Sequence, residues 1–365
     1  MSFKEKFFEE AYNLAEKGRG LTSPNPFVGA VLVRDNVIIG RGYTQPWGKD
    51  HAEIQAIKDA NYDCEGAEMY VTLEPCAHYG KTPPCADAII KHKIKSVYAG
   101  IKDPNPKVNG KGFEKLKNAG VFVKTGIWKS KIEKQLEYYL KFIISKRPFV
   151  FSKIATSMDG KISSSTGKSK WITNEKSRKY VHKLRAEADV IITGINTVLA
   201  DNPTFNVRFG EAKNNPIRII LDSRLRLPVN SNIAETAKDI QTIVFVYSLQ
   251  KDAKYLSLKK LGIEIKECPL RNGGLDLQYI LDYVYSLNKY LVMIEAGNKI
   301  NSSFLAEKLI DKLYHFVAPK IIGGKNSLFQ NYIIDEIKES VNLTNIDISN
   351  YDEDLLFQHY LRYSG

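Results

Sequence analysis

The stretch "TLEPCAHYGKTPPC", residues 72–85, holds two of the four cysteines in the chain, Cys76 and Cys85, with eight residues between them. Zinc knuckles ordinarily set paired cysteines two to four residues apart. The gap therefore leaves a disulfide, a structural metal site and half of a catalytic centre all open. Four cysteines in 365 residues are too few for a disulfide framework, and thiols in a reducing compartment more often serve metals or catalysis, or lie inert in a core.

The neighbouring sequence sharpens the choice. "HAE" at 51–53 opens a helical pattern with His51, and Glu53 follows two residues later. Taken with Pro75-Cys76 and Cys85, this is the donor set of a zinc deaminase: one His, two Cys and a Glu that is not a ligand. Three protein ligands leave the fourth tetrahedral position to water, whose pKa the metal brings toward neutrality. Glu53 would shuttle that water's proton to the ring nitrogen and the departing amine. Singly, His51 reads as a surface imidazole and each cysteine as a small buried hydrophobe. Together, H-x-E on a helix, E-P-C at a strand end and P-P-C opening the next helix form a specific set. A structural zinc would want a fourth protein ligand, which His78 could supply.

Working outward, helical spacing over 3–18 precedes two strands, 27–33 and 36–43, around Arg34-Asp35. Helices are expected over 51–60, 83–92, 110–120 and 129–145, and strands over 68–75, 95–101 and 121–127. Near "ISKRPFV" (144–150) the pattern restarts. Strands over 149–157, 189–195, 216–222, 242–248, 290–297 and 312–320 then alternate with helices near 174–188, 275–287 and 300–310. The expected architecture is two α/β domains, 1–147 and 148–365.

A net charge of +12 points to anionic partners, yet the basic residues are scattered among acids rather than gathered into a nucleic-acid-binding arm. The N-terminus does not read as a signal peptide, and no apolar run is long enough for a membrane span. A cytoplasmic protein with no membrane partner is expected; charge alone does not choose between phosphorylated metabolites and nucleic acid, the missing basic arm counts against nucleic acid, and a lysine-rich solvated surface accounts for most of the excess. The second half lacks a G-x-G-x-x-G after a strand, which leaves a Rossmann site unsupported. Arg185 and Arg208 could fork onto a phosphate, and Lys153 could hold a sugar hydroxyl or that phosphate. The "GNKINSS" stretch (297–303), between strand and helix, offers backbone donors for cofactor phosphates.

The unbroken run P-C-x-H-x-G-K-T-P-P-C from Pro75 to Cys85 resembles the bifunctional riboflavin-biosynthesis deaminase–reductase family. So do "KIATSMDGKI" (153–162), "SKWIT" (169–173), "LRAEADVIITGINTVLADNPTFNVR" (184–208) and "VMIEAGNKINSSFL" (292–305). The likeness covers nearly the whole chain. It implies a cytidine-deaminase-like three-layer α/β/α domain followed by a dihydrofolate-reductase-like α/β domain, with Zn2+ and NADPH as cofactors and a dimer or tetramer of identical chains.

By the resemblance, His51, Cys76 and Cys85 bind zinc and Glu53 is the proton shuttle. Asn25, His78, Lys81, Asp103 and Asn105 contact the deaminase substrate. Lys153, Ser169, Arg185, Phe205, Arg208 and Glu295 contact the reductase substrate. Ala155, Trp171, Thr173, Thr197, Asp201, Ser223 and the run Gly297, Asn298, Lys299, Ile300, Asn301, Ser302 and Ser303 line NADPH. Two positions depart from the family pattern in the first half: Thr44 stands where a histidine is usual, and Asp50 where a proline is. Thr44 or Gln45 is expected to take over a substrate hydrogen bond, failing which turnover is impaired. Ala296 replaces a usual glycine in the second half.

Overall fold

The computed structural model describes residues 3–209 and 215–363. The chain divides into two compact units, Met1–Arg147 and Pro148–Gly365. Among the described residues no helix is long and apolar enough to cross a membrane.

In the first unit, five strands form one sheet: β1 (Gly29–Arg34), β2 (Val37–Tyr43), β3 (Glu68–Leu73), β4 (Ser96–Ile101) and β5 (Phe122–Lys124), in the order β2-β1-β3-β4-β5. β1 runs antiparallel to both its neighbours, while β3, β4 and β5 are parallel. The central strands β1, β3 and β4 are buried almost throughout, as their continuous apolar runs require. Among the described residues six helices accompany the sheet: α1 (Phe3–Glu16), α2 (Ala52–Asp59), α3 (Cys85–Lys91), α4 (Lys111–Asn118), α5 (Lys129–Gln135) and α6 (Glu137–Ser145). The helix expected over 129–145 is two, joined at Leu136. Next to that joint, the Gln135 side-chain amide donates to Tyr12 O (2.9 Å) and Glu16 Oε1 (2.7 Å), tying the bend to α1.

α2 lies directly against β2. A Cβ on Gly42 would stand 2.1 Å from Ala52 O and 2.5 Å from Ala56 N, so only glycine permits this approach. The consequence is functional, because α2 carries Glu53 and begins immediately after His51.

Among the described residues the second unit has a nine-stranded main sheet and a separate pair: β6 (Phe149–Ser157), β7 (Val190–Gly194), β8 (Ile217–Leu221), β9 (Thr242–Val246), β10 (Glu264–Glu267), the pair β11 (Leu270–Arg271) and β12 (Gly274–Leu275) outside the main sheet, then β13 (Leu291–Ile294), β14 (Lys312–Ala318), β15 (Asn342–Tyr351) and β16 (Asp354–Arg362). The main sheet runs β10-β9-β8-β7-β13-β6-β14-β16-β15. From β10 to β14 every pairing is parallel; β16 and β15 then add antiparallel. The helices are α7 (Glu175–Glu187), α8 (Ile195–Asp201), α9 (Asn232–Glu235), α10 (Ala253–Lys260), α11 (Leu277–Ser286) and α12 (Asn298–Ala306). A core that includes Val190, Ile192, Ile219, Phe245, Val292, Ile294 and Phe304 fills one side of the sheet. Full burial of each such side chain is worth about 1.5–3 kcal/mol. The loops after β7 and β13 leave the carboxyl ends of parallel strands, where open α/β sheets bind ligands.

Candidate active sites

His51 is the N-cap of α2, Cys76 follows the end of β3, and Cys85 is the first residue of α3. Three separate element ends thus bring one imidazole and two thiols together. His51 Nδ1 lies 3.7 Å from Cys76 Sγ and 3.3 Å from Cys85 Sγ, and all three donor atoms fall within 4.8 Å of one another. Bond lengths of 2.0–2.1 Å for Zn–N and 2.3 Å for Zn–S put the N···S edge of a zinc tetrahedron at about 3.5 Å. The donors therefore fit the metal. The Cys85 backbone N–H also donates to Cys76 Sγ (3.3 Å), as a first-turn amide does for a thiolate. Mutual hydrogen bonding draws Cys76 down to about 4 while holding the Cys85 thiol well above its ordinary range. The Glu53 carboxyl is buried next to this cluster, and burial pushes it up to about 7.

Asp103 is buried and accepts from Asn105 N–H (2.9 Å) and the Tyr139 hydroxyl (3.0 and 3.1 Å). Burial raises it to about 6, with the charges of Glu74 and Cys76 adding to the rise. Asn105 Oδ1 in turn accepts from Lys107 N–H. His78 lies in the loop between the thiols, and its buried Nδ1 has no partner. Lys81, in the same loop, places its ammonium 3.4 Å from the centre of the Trp47 ring. The Asn25 turn is closed by a bond from Thr22 Oγ1 to Asn25 O (2.8 Å).

Two contributors escaped the sequence reading. Trp47 has no motif to announce it. Glu74 was read only as the end of a strand, yet its buried carboxylate accepts four backbone N–H groups, from Asp103, Gly110, Gly112 and Phe113. It clamps the "DPNP" segment and the start of α4 to the chain just before Cys76. A Cβ on Gly112 would sit 1.9 Å from Pro75 O, so this close seating also requires glycine.

In the second unit a cleft of about 820 Å³ is lined by Lys153, Ala155, Ser169, Trp171, Thr173, Arg185 and Thr197 on part of its wall. Asp201, Phe205, Arg208, Glu295 and Gly297 complete the set of expected residues that reach it. Its size suits a dinucleotide or a large substrate, and a Cβ on Gly297 would meet nothing within 4 Å. Ser223 and residues 298–303 are not part of the cleft wall. Asn301 is fully buried, bonded to Ser152 Oγ (2.5 Å), Ala296 O (2.8 Å) and Gly297 O (3.1 Å), so its side chain secures the turn from within.

Arg185 also differs from its expected role. Its Nε and Nη2 form a fork onto Glu295 (2.8 and 2.7 Å), and its Nη1 donates to Asn206 O (3.4 Å). That edge is not open to a phosphate. Lys153 Nζ stands 3.9 Å from the same carboxylate. Burial works to raise Glu295, but Arg185 and Lys153 outweigh it and hold the group at about 2. Lys153 is lowered by its own burial. The cleft also includes Arg178 and His182, which sequence reasoning missed. Arg178 stacks 4.5 Å over Trp171 and donates to Thr173 O (2.7 Å). Burial, with Arg185 and Arg208 nearby, pushes His182 down to about 4 and keeps it neutral.

Residues 148–357 match the RibD C-terminal domain, and residues 1–101 match the cytidine and deoxycytidylate deaminase zinc-binding region. The riboflavin biosynthesis protein RibD of Aquifex aeolicus is 40% identical over 358 residues, spanning 98% of each chain. This chain belongs to the RibD family. RibD of Escherichia coli K12 is 35% identical over 333 residues, 88% of this chain and 89% of that one. The crystal structure of the Thermotoga maritima diaminohydroxyphosphoribosylaminopyrimidine deaminase/5-amino-6-(5-phosphoribosylamino)uracil reductase matches with a TM-score of 0.88 at 35% identity, covering 99% of both chains. Acinetobacter baumannii RibD matches at 0.89 and 36% identity, over 99% of this chain and 100% of that one. Like the RibD fold, the chain pairs a cytidine-deaminase-like unit with a reductase unit. It is a bifunctional riboflavin-biosynthesis enzyme, a zinc-dependent deaminase and an NADPH-dependent reductase.

The departures from the RibD pattern have structural partners. Thr44 is buried, and its hydroxyl accepts from Val28 N–H (3.1 Å) while its own N–H donates to Val28 O (2.9 Å). Gln45 Nε2 donates to Tyr43 O (3.1 Å). Asp50 accepts from Gln55 (2.7 Å) and Lys58 (2.5 Å) along α2. Thr44→Val keeps the volume but orphans the Val28 donor, an expected loss of about 1–3 kcal/mol in denaturant unfolding. Unchanged stability with a raised deaminase KM would instead assign the hydroxyl to the substrate.

Proposed function

We propose that the residues described above act in sequence on one phosphorylated pyrimidine. The first unit hydrolytically removes an amine from 2,5-diamino-6-(5-phosphoribosylamino)pyrimidin-4(3H)-one, and the second reduces its opened ribosyl group to ribityl phosphate. The observation that carries the first step is the convergence of His51, Cys76 and Cys85 beside the buried carboxyl of Glu53. Zinc held by those three side chains supplies an activated water. Glu53 takes a proton from the attacking water and passes it to the ring nitrogen, then takes the proton of the newly added hydroxyl and passes it to the departing amine, so that a carbonyl forms and ammonia leaves. Asn25, His78, Lys81, Asp103 and Asn105 orient the substrate. The partnerless Nδ1 of His78 and the exposed position of Lys81 in the same loop support that role.

When bound in the second unit, NADPH would supply a hydride to C1′ of the ribosylamine in its imine form, the imine nitrogen taking its proton from water. Arg208, which lines the cleft together with Ser169 and Phe205, takes the substrate phosphate. Arg185 and Lys153 hold Glu295 as a carboxylate, which accepts hydrogen bonds from ribose hydroxyls. Ala155, Trp171, Thr173, Thr197, Asp201 and Gly297 on the cleft wall accommodate NADPH, while the Asn301 side chain holds the Ala296 and Gly297 carbonyls from within rather than touching the cofactor. The enzyme works in the cytoplasm as a homo-oligomer, a dimer or tetramer. Support comes from four free cysteines and from the exposed apolar side chains Ile321, Ile333 and Ile337.

Chelation separates the two steps. Stripping zinc is expected to end ammonia release while reduction of the already deaminated substrate continues, and zinc added back restores the first. Ammonia release that survives complete loss of zinc would overturn the assignment.

A further inference from the structure

Arg218, on β8, is fully buried and has no carboxylate beside it among the described residues. Burying a guanidinium costs several kcal/mol, and an apolar side chain would brace a core more cheaply. Burial pushes it down to about 10, so it keeps its charge at neutral pH. Every donor direction is used. Nε and Nη2 donate to Thr242 Oγ1 (3.0 and 2.7 Å), and Nη2 also to Ile233 O (3.0 Å) and Ile240 O (3.1 Å). Nη1 donates to Thr236 Oγ1 (2.7 Å) and to Thr204 O (2.9 Å).

The Thr204 bond sets this arginine apart from an internal brace. Four of its acceptors belong to 233–242, around α9 and the start of β9. Thr204 belongs to the irregular segment 202–208, which carries Phe205 and Arg208 into the cleft. That segment has no ladder to hold it. Phe205 is buried with φ at +50°, a conformation that a non-glycine residue keeps only when its surroundings impose it. Further ties hold the segment elsewhere: Arg185 Nη1 donates to Asn206 O (3.4 Å), Val207 N–H donates to Asn215 Oδ1 (2.9 Å), and Arg208 N–H donates to His182 Nδ1 (3.3 Å), which leaves the proton of the neutral ring on Nε2.

We propose that Arg218 is a positioning residue of the reductase, acting through the Thr204 carbonyl to set Phe205 and Arg208 against the substrate, with His182 as a further anchor at the Arg208 end of the same segment. The proposal rests on the substrate role given above to Phe205 and Arg208. Lysine at 218 would retain the charge, but an ammonium is a point donor and cannot span both Thr204 and the 233–242 acceptors.

The test is steady-state reduction of the deaminated pyrimidine phosphate by Arg218→Lys, with ammonia release by the other unit as internal control. The expected result is a substrate KM raised about tenfold, an NADPH KM within about twofold of the parent, and unchanged ammonia release. A folded Arg218→Lys with an unchanged substrate KM, or with both KM values raised alike, would overturn the proposal. If Arg218→Lys does not fold, His182→Ala reads the same segment from its Arg208 end and must show the same split; equal or absent effects there overturn it too. Arg208→Met separates the premise from the inference. An unchanged substrate KM in Arg208→Met removes the substrate role of the segment. A raised KM there with none in Arg218→Lys removes only the positioning role.

Discussion

Glu53→Gln is expected to keep zinc at one per chain and to lose ammonia release by about 10²–10⁴-fold, the usual worth of a placed general acid–base. Gln matches the shape of Glu and can hydrogen-bond, but it cannot carry a proton from water to the ring and on to the leaving amine. The carboxyl lies in the first turn of α2, two residues after His51, and is buried against the donor cluster. A group so placed is of no use to a merely structural zinc. Metal analysis beside an ammonia assay checks the prediction. Parent-like ammonia release with full zinc would mean that proton transfer does not pass through Glu53. Reduction of the deaminated substrate should be untouched in this variant.

The second large effect is expected at Glu295→Gln. The parent carboxylate faces Arg185 at 2.7 Å and Lys153 at 3.9 Å, all three side chains largely buried. Removing the negative charge leaves two largely buried cations without their counter-charge, a change of the kind that costs about 3–5 kcal/mol. NADPH oxidation should fall by at least about 100-fold, from a loss of roughly 3 kcal/mol in the transition state, while ammonia release persists. The pH dependence has a definite direction. Glu295 sits at about 2 against an ordinary 4.5, so its contribution is full above about pH 4.5 and fades as pH falls toward 2. The stability gap between parent and variant, followed by denaturant unfolding, should close over that window. A gap independent of pH, or near-parent reduction, would contradict the ion-pair account.

The first unit was largely legible because its signals are local. His51, Cys76 and Cys85 each stand at the end of a strand or start of a helix, and capping and proline chemistry mark those ends in the sequence. Glu74 was not legible, since its partners are backbone amides 29–39 residues away that no side-chain pattern records. In the second unit the buried parallel strands show as apolar runs. β15 and β16 do not. β15 is the sheet's edge, "NLTNIDISNY" is rich in Asn, Asp and Thr, and Leu343 and Ile348 lie about half exposed, so no apolar run or clean alternation marks it. Arg185 shows why residue type outruns role: the guanidinium is visible in the sequence, but the carboxylate that occupies its fork lies 110 residues on. Asn301 teaches the same lesson at a helix start, where a polar side chain turned inward instead of toward the cleft.

The central claim is that one chain performs a deamination and then a reduction on the same molecule. The purified protein should be given the diaminopyrimidine phosphate, zinc and NADPH, with ammonia and NADPH oxidation followed separately. The account predicts ammonia first and then one NADPH oxidised for each ammonia released. Ammonia without NADPH oxidation, or oxidation that precedes ammonia, would contradict it.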